Sequence, residues 1–163
     1  MATVKTLTTA LTFLTGIGLA AAQTITPPDA TGVESLNIEQ LGTNLQATGT
    51  QGVGPHLTSI VQIGDDHVTT FAVAGIGQIT TIRQEGTAQV ATFDVDGRDV
   101  TSSLTQSGQA NDVTLDIVAE RSDFTTFQDG SDNVITVTAE TFGTSTRIVQ
   151  QGQMNMVNVT LVP

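Results

Sequence analysis

Few side chains in this sequence could carry catalysis. Cys is absent, and His56 and His67 are the only histidines. No Gly-x-Ser-x-Gly turn, the motif that exposes the nucleophilic serine of many hydrolases, is present. The residue types therefore predict no catalytic residues and a protein that is not an enzyme.

One acidic segment, DVDGRD at 94–99, invites comparison with calcium-binding loops. An EF-hand loop needs its glycine at the sixth position and a bidentate Glu at the twelfth. Here Gly97 comes too early and Thr105 stands in the place of that Glu. The Gly-Gly-x-Gly-x-Asp repeat of calcium β-rolls is also missing. We interpret the segment as a solvated acidic turn and predict neither a metal site nor a cofactor.

The charge balance excludes several kinds of partner. The sequence has 16 acidic residues against five basic ones. Binding to nucleic acid or to an anionic membrane surface needs clustered Lys and Arg, which displace counterions or pair with lipid headgroups. We therefore expect no nucleic-acid partner and no insertion into a membrane.

The first 22 residues have the layout of a secretory signal peptide. Lys5 precedes an apolar run from about Leu7 to Leu19, and Ala20 and Ala22 fit the small-residue positions of a cleavage site. The run is short for a membrane span. We predict a signal peptide at 1–22, cleavage before Gln23, an N-terminal segment at 23–34, and a secreted protein.

The strongest signal in the sequence is an internal repeat of 22 residues, a period typical of stacked architectures. Each of six repeats carries a Gln and, two positions later, a Gly. The Gln positions are Gln40, Gln62, Gln84, Gln106, Gln128 and Gln150. The Gly positions, predicted to form a tight turn, are Gly42, Gly64, Gly86, Gly108, Gly130 and Gly152.

Apolar residues alternate with polar ones on both sides of this Gln–Gly pair, as expected for strands. Two positions before the Gln, most repeats carry an aliphatic residue, and the positions seven, nine and eleven after it are mostly apolar. The predicted apolar core is Ile38, Ile60, Ile82, Leu104, Ile148, Val113, Leu115, Ile117, Val157, Val159 and Leu161. Each repeat thus reads as strand, turn, strand and second turn.

One such unit cannot bury its own apolar face, whereas stacked copies can. The sequence predicts an all-β fold, an amyloid-like β-solenoid of six strand–turn–strand repeats in two parallel sheets. The expected boundaries of the repeats within 35–163 are 35–56, 57–78, 79–100, 101–122, 123–144 and 145–163. A single buried Gln side chain destabilises the fold unless its amide is hydrogen-bonded. When the repeats stack, each forming one rung of the solenoid, the Gln side chains of neighbouring rungs can bond to one another.

The element Gln-x-Gly-x-x-Asn-x-(Ala/Val) resembles the repeat of the curlin family, the subunits of bacterial curli fibres. It is clearest in the segments starting at Gln106, Gln128 and Gln150. The resemblance implies an amyloid fibre subunit that assembles outside the bacterial cell in adhesion and biofilm. It implies contact with a nucleator subunit and an outer-membrane secretion pore, and it assigns Asn111, Asn133 and Asn155 to a second ladder. Leu45, His67 and Gln89 replace that Asn in the first three repeats.

The unequal charge of the repeats suggests how such a chain would polymerise with itself, head to tail. The last repeat contains no acidic residue and one cation, Arg147. Low charge and high β-propensity favour strand pairing, so we expect this repeat, and secondarily the first, to carry the growing interface. Acidic residues in the middle repeats act as gatekeepers against premature aggregation. The predicted gatekeepers are Asp65, Asp66, Asp94, Asp96 and Asp99.

Two alternatives share the same repeat. One is a minor, nucleating subunit of the fibre. The other is a monomeric surface- or ice-binding solenoid, suggested by Thr eight positions after the Gln in five repeats. A flat ice-binding plane would need paired Thr columns, and Ala72, Asp94 and Asp116 interrupt the neighbouring column. A single Thr column is more simply a ladder on a solvent face.

Overall fold

The computed structural model describes residues 24–26, 34–52, 54–140 and 143–161. These residues form two parallel sheets, which we name sheet A and sheet B. Sheet A contains β1 (Thr24–Thr26), β3 (Gln46–Gln51), β5 (Val68–Val73), β7 (Val90–Arg98), β9 (Asp112–Glu120), β11 (Val134–Ala139) and β13 (Met156–Leu161). Sheet B contains β2 (Glu34–Thr43), β4 (His56–Asp65), β6 (Gln78–Thr87), β8 (Thr101–Gln109), β10 (Asp123–Ser131) and β12 (Ser145–Gln153).

Successive strands alternate between the sheets, and each strand pairs with the strand one repeat away. Gln84, for example, pairs with Gln62 on one side and with Gln106 on the other. The pairing of β2 to β13 keeps this 22-residue register at every step. The chain is therefore a β-solenoid of about six turns, which confirms the predicted fold class.

Both turns of a repeat differ in detail from the sequence prediction. Gly42 and its equivalents lie near the end of the first strand, with φ between 106° and 146°, rather than in the turn itself. The turn follows two residues later, at a non-glycine residue in the left-handed conformation such as Asn44 or Ala110. Gly97, in the segment that we interpreted as an acidic turn, lies inside β7, which continues to Arg98.

The core lies between the two sheets. Ile38, Ile60, Ile82 and Leu104 form a fully buried column of sheet B. Val113, Leu115 and Ile117 are buried on sheet A, whereas Val157 and Val159 are half-buried because no further rung lies beyond them within the described residues. Ile148 is buried, and the side chain of Leu161 lies outside the described part.

The largest buried side chains are Phe71 and Phe93, which are not among the predicted core residues. They lie opposite each other on neighbouring strands of sheet A, and Gly49 lies opposite Phe71 on the next strand. A Cβ at Gly49 would overlap the Phe71 ring, so the glycine makes room for the aromatic side chain.

The predicted signal peptide at 1–22 and the cleavage point at Gln23 lie outside the described residues. Of the segment expected at 23–34, the structure describes the short strand β1 and the first residue of β2. Among the described residues, no helix is long and apolar enough to cross a membrane.

Candidate functional site

The repeated Gln side chains form one continuous ladder through the solenoid. The side-chain amides of the first five donate to the amide oxygen of the Gln one rung further along, at 2.6 Å from Gln40 to Gln62 and 2.9–3.0 Å in the later steps. All six side chains are buried. Desolvation of each amide is offset because the neighbouring rung supplies its partner.

The same side chains also connect the two sheets. The Nε2 of Gln106 donates to the carbonyl of Val90 at 3.1 Å, and that of Gln128 donates to the carbonyl of Asp112 at 3.2 Å. Gln62, Gln84 and Gln150 make the equivalent bond. These five Gln residues thus fix both the spacing between rungs and the spacing between sheets.

The residues of the predicted Asn ladder hold the first turn of each repeat. The Nδ2 of Asn111 donates to the carbonyl of Ser107 at 2.8 Å and to that of Gly130, on the next rung, at 3.3 Å. Its Oδ1 accepts from the backbone N–H of Asn133 at 3.3 Å. Asn133 repeats this pattern with Asp129, Gly152 and Asn155.

His67 occupies the Asn position of the second repeat and copies part of its bonding. Its Nε2 lies 3.0 Å from the carbonyl of Ile63, and the N–H of Gln89 points at its Nδ1 at 3.4 Å. This geometry requires a neutral ring with its proton on Nε2. Burial lowers the pKa of His67 below its usual value, although the Ile63 carbonyl and the charges of Asp65 and Asp66 act in the opposite direction.

The glycine column allows the rungs to approach closely. A Cβ added at Gly64, Gly86 or Gly108 would overlap the carbonyl oxygen of the glycine on the next rung. The positive φ of these residues also favours glycine. At Gly152, the last of the column, the nearest atom to such a Cβ is Nδ2 of Asn155, at 3.3 Å.

The columns end at strands whose outer edges have no described strand beside them. Sheet B ends on β2 and β12, and the C-terminal end of sheet A is β13. Asn155 keeps its bond to the Gln151 carbonyl at 2.9 Å, but the described residues contain no further rung whose glycine carbonyl it could reach. Met154 and Met156 beside it are each 78% exposed. The C-terminal rung therefore presents the side chains of an interior rung to solvent.

The acidic residues lie on the outside of the solenoid. All five predicted gatekeepers are exposed. Hydrogen bonds from Thr43 lower the pKa of Asp65. Two ion pairs occur on the described surface, Arg83–Glu85 at 2.8 Å and Arg121–Asp99 at 3.8 Å. The described residues contain no group of three potential metal ligands.

Sequence reasoning missed two buried columns of sheet B, four and six positions before the Gln. They contain Leu36, His56, Thr58, Gln78, Thr80, Val100, Ser102, Ser122 and Phe124. The period-two alternation that starts at the Gln extends through these positions, so it could have marked them as inward-facing. Most of these residues are polar, and their polar character concealed the pattern.

Comparison of the chain with protein-family models, with curated proteins and with solved structures found no match. The functional interpretation is therefore based on the geometry of the ladders and of the two ends. That geometry offers repeated backbone and amide hydrogen bonds along a single axis, an arrangement suited to adding further rungs.

Proposed function

We propose that this protein is a secreted structural subunit that polymerises head to tail into an extracellular, curlin-like amyloid fibre. One observation carries the proposal: the C-terminal rung, β12 and β13, has the columns of an interior rung, yet no described strand pairs with its outer edge. Uncapped strand edges template the addition of another chain. The curlin-like Gln–Gly–Asn repeat supports the same conclusion.

Continuing the 22-residue register past the C-terminus places a second copy in a defined position. Ile148, Gln150 and Gly152 of one copy would lie over Ile38, Gln40 and Gly42 of the next. The Nδ2 of Asn155 would reach the carbonyl of Gly42, as Asn133 reaches that of Gly152. The ladders thus have a natural continuation between chains.

Charge is also complementary across this junction. Arg147, the one cation of the last repeat, is exposed on β12 and would pair in register with Asn37 of the next copy. Glu39, exposed on the same face of β2, lies two residues further along that strand. The resulting Arg–carboxylate pair favours the head-to-tail arrangement over the approach of two acidic surfaces.

The alternative of a monomeric ice-binding solenoid has less support. The outward position beside the Thr column contains Ala72, Asp94 and Asp116. These residues break the regular plane of hydroxyl groups that such a surface needs. A minor, nucleating subunit would share the proposed junction, and unseeded assembly of the purified chain distinguishes it from a major subunit.

Gly152→Ala tests the junction directly. In the isolated chain, the added methyl group meets only a side-chain amide, but in the polymer it would overlap the Gly42 carbonyl of the next copy. We expect Gly152→Ala to fold and to slow fibre growth about tenfold or more. Growth is followed by dye fluorescence, and the product by electron microscopy and the ~4.8 Å diffraction spacing.

Gly143→Ala is a control for replacing a glycine of positive φ. Gly152, with a φ of 115°, is the more strained position, so the folding of both variants is checked by denaturant unfolding. Gly143 also has a positive φ, 68°, but its Cβ would meet no atom within 4 Å. The control therefore introduces backbone strain without an overlap and should assemble at the parent rate. Equal growth of the Gly152→Ala variant and the parent chain would contradict the proposed junction.

A further inference from the structure

The strand β1 lies at the N-terminal edge of sheet A, outside the repeat frame. It pairs in parallel with β3, with Thr24 opposite Thr48 and Thr26 opposite Thr50. This offset is two residues longer than the 22-residue offset between the later strands. β1 thus follows the direction of the solenoid without belonging to its repeats.

β1 covers only part of the edge on which it lies. Of the six residues of β3, it pairs with Thr48, Gly49 and Thr50. Pro27 and Pro28 follow it directly in the sequence. Because proline has no N–H to donate to a sheet, the strand cannot continue along β3 with regular pairing.

The covered edge is the one that a second copy needs. In the head-to-tail register, β13 of the incoming chain would pair with β3 along all six residues, as β13 pairs with β11 within the chain. One side of a strand can pair with only one neighbour, so β1 and the incoming β13 exclude each other. Sheet B presents no such conflict, since no described strand lies outside β2.

We propose that β1 is a displaceable edge strand that blocks the sheet A docking surface until β13 of a second copy replaces it. This inference rests on the proposed head-to-tail assembly. Three residue pairs are exchanged for six, so displacement is favourable once the incoming chain is in register. Before that point, β1 protects the edge and slows both nucleation and elongation.

A reversible tether tests this exchange in the full mature chain. The chain has no cysteine, so Thr24→Cys combined with Thr48→Cys introduces a single pair. The two positions are opposite each other on adjacent strands, about 4.8 Å apart, which is within the range that a disulfide spans. Oxidation would lock β1 on β3, and the same protein under reductant is its own control.

We expect the oxidised form to elongate parent seeds about tenfold more slowly than the reduced form. Ile25→Pro, which removes an N–H within β1, should shorten the lag before growth. Ala30→Pro, which places a proline in the same segment outside β1, should leave the lag unchanged. Fluorescence of an amyloid dye follows the growth of these samples and of the parent chain.

The outcomes separate the two proposals. If the parent chain forms fibres but oxidation and Ile25→Pro leave the kinetics unchanged, the role of β1 is overturned and head-to-tail assembly stands. If neither the parent chain nor Ile25→Pro assembles, both proposals fail. If only Ile25→Pro assembles, β1 blocks the edge even more strongly than we propose.

Discussion

At the scale of single residues, the pattern of substitution in the ladders follows from hydrogen-bonding capacity. Gln89 stands at an Asn position, and its longer amide still donates to Glu85 and to Gly108 on the next rung. His67 can donate to Ile63 and accept from Gln89 only while it is neutral. The second repeat is therefore sensitive to protonation.

The pH dependence of stability follows from the lowered pKa of His67. The unfolded chain, with a pKa near 6.5, takes up a proton at a higher pH than the folded chain does. More protons are then bound in the unfolded state, so stability rises with pH. We expect the free energy of unfolding to fall as the pH drops below about 6.5, because a proton on Nδ1 would face the Gln89 N–H.

His67→Asn provides the control, since Asn111 and Asn133 show that Asn makes the same contacts without titrating in this range. Denaturant unfolding between pH 5 and 7.5 should show a slope for the parent chain and a smaller slope for this variant. The effect of Asp65, whose pKa is lowered below 3.8, is lost only at more acidic pH. Equal slopes in both chains would contradict the assignment to His67.

At the scale of the strands, the Gln ladder makes neighbouring rungs depend on each other. Gln106 accepts from Gln84, donates to Gln128 and also holds the Val90 carbonyl of the facing sheet. Its removal leaves the Gln84 amide and the Val90 carbonyl without that partner. An unsatisfied buried polar group costs about 1–3 kcal/mol.

We therefore expect Gln106→Leu to destabilise the solenoid by about 2–4 kcal/mol, measured by denaturant unfolding. Gln109→Leu, a change of the same chemistry at an exposed position of the same strand, should have an effect below about 0.5 kcal/mol. A comparable loss in the two variants would show that the ladder contributes no more than a surface amide.

At the scale of the whole molecule, the parallel stacking of the rungs brings like charges close together. Parallel stacking places equivalent residues of adjacent rungs one above another, as Asp94 lies over Asp116. Like charges in register repel, and the mature chain predicted from the sequence contains all 16 acidic residues and four arginines. Self-repulsion should slow association in the way that we proposed for the gatekeepers.

Ionic strength should therefore control the rate of assembly. Raising the salt from about 0.01 M to 0.15 M shortens the screening length from about 30 Å to about 8 Å. We expect a shorter lag at the higher salt concentration, measured by dye fluorescence. Asp94→Asn combined with Asp96→Asn should reduce this salt dependence, and a lag that lengthens with salt would contradict the gatekeeper role.

The proposed growing interface is also a property of the whole molecule. The prediction that the last repeat carries it remains untested, but the exposure of Met154 and Met156 is compatible with an uncapped end. The N-terminal end differs from this C-terminal end, because β1 lies at the edge of sheet A there. The two ends of the solenoid are thus chemically distinct.

The sequence by itself determined the solenoid, its period and the inward Gln column, since a strict 22-residue repeat with two invariant positions permits only in-register stacking. It did not determine the turn, because left-handed residues as different as Asn44, Ala88 and Met154 share one position. Nor did it identify Thr58 and Thr80 as buried, because polar side chains normally predict exposure to solvent.

Only the tertiary structure decided how the ends differ. The repeats predict equivalent rungs, and nothing local in Thr24–Thr26 indicates that this segment pairs with β3, 24 residues away. That pairing depends on an open edge, which exists only once the sheet has formed. The periodic part of the fold could be predicted from the local sequence pattern, whereas the pairing at the edges, where we propose that assembly is controlled, arises from long-range contacts.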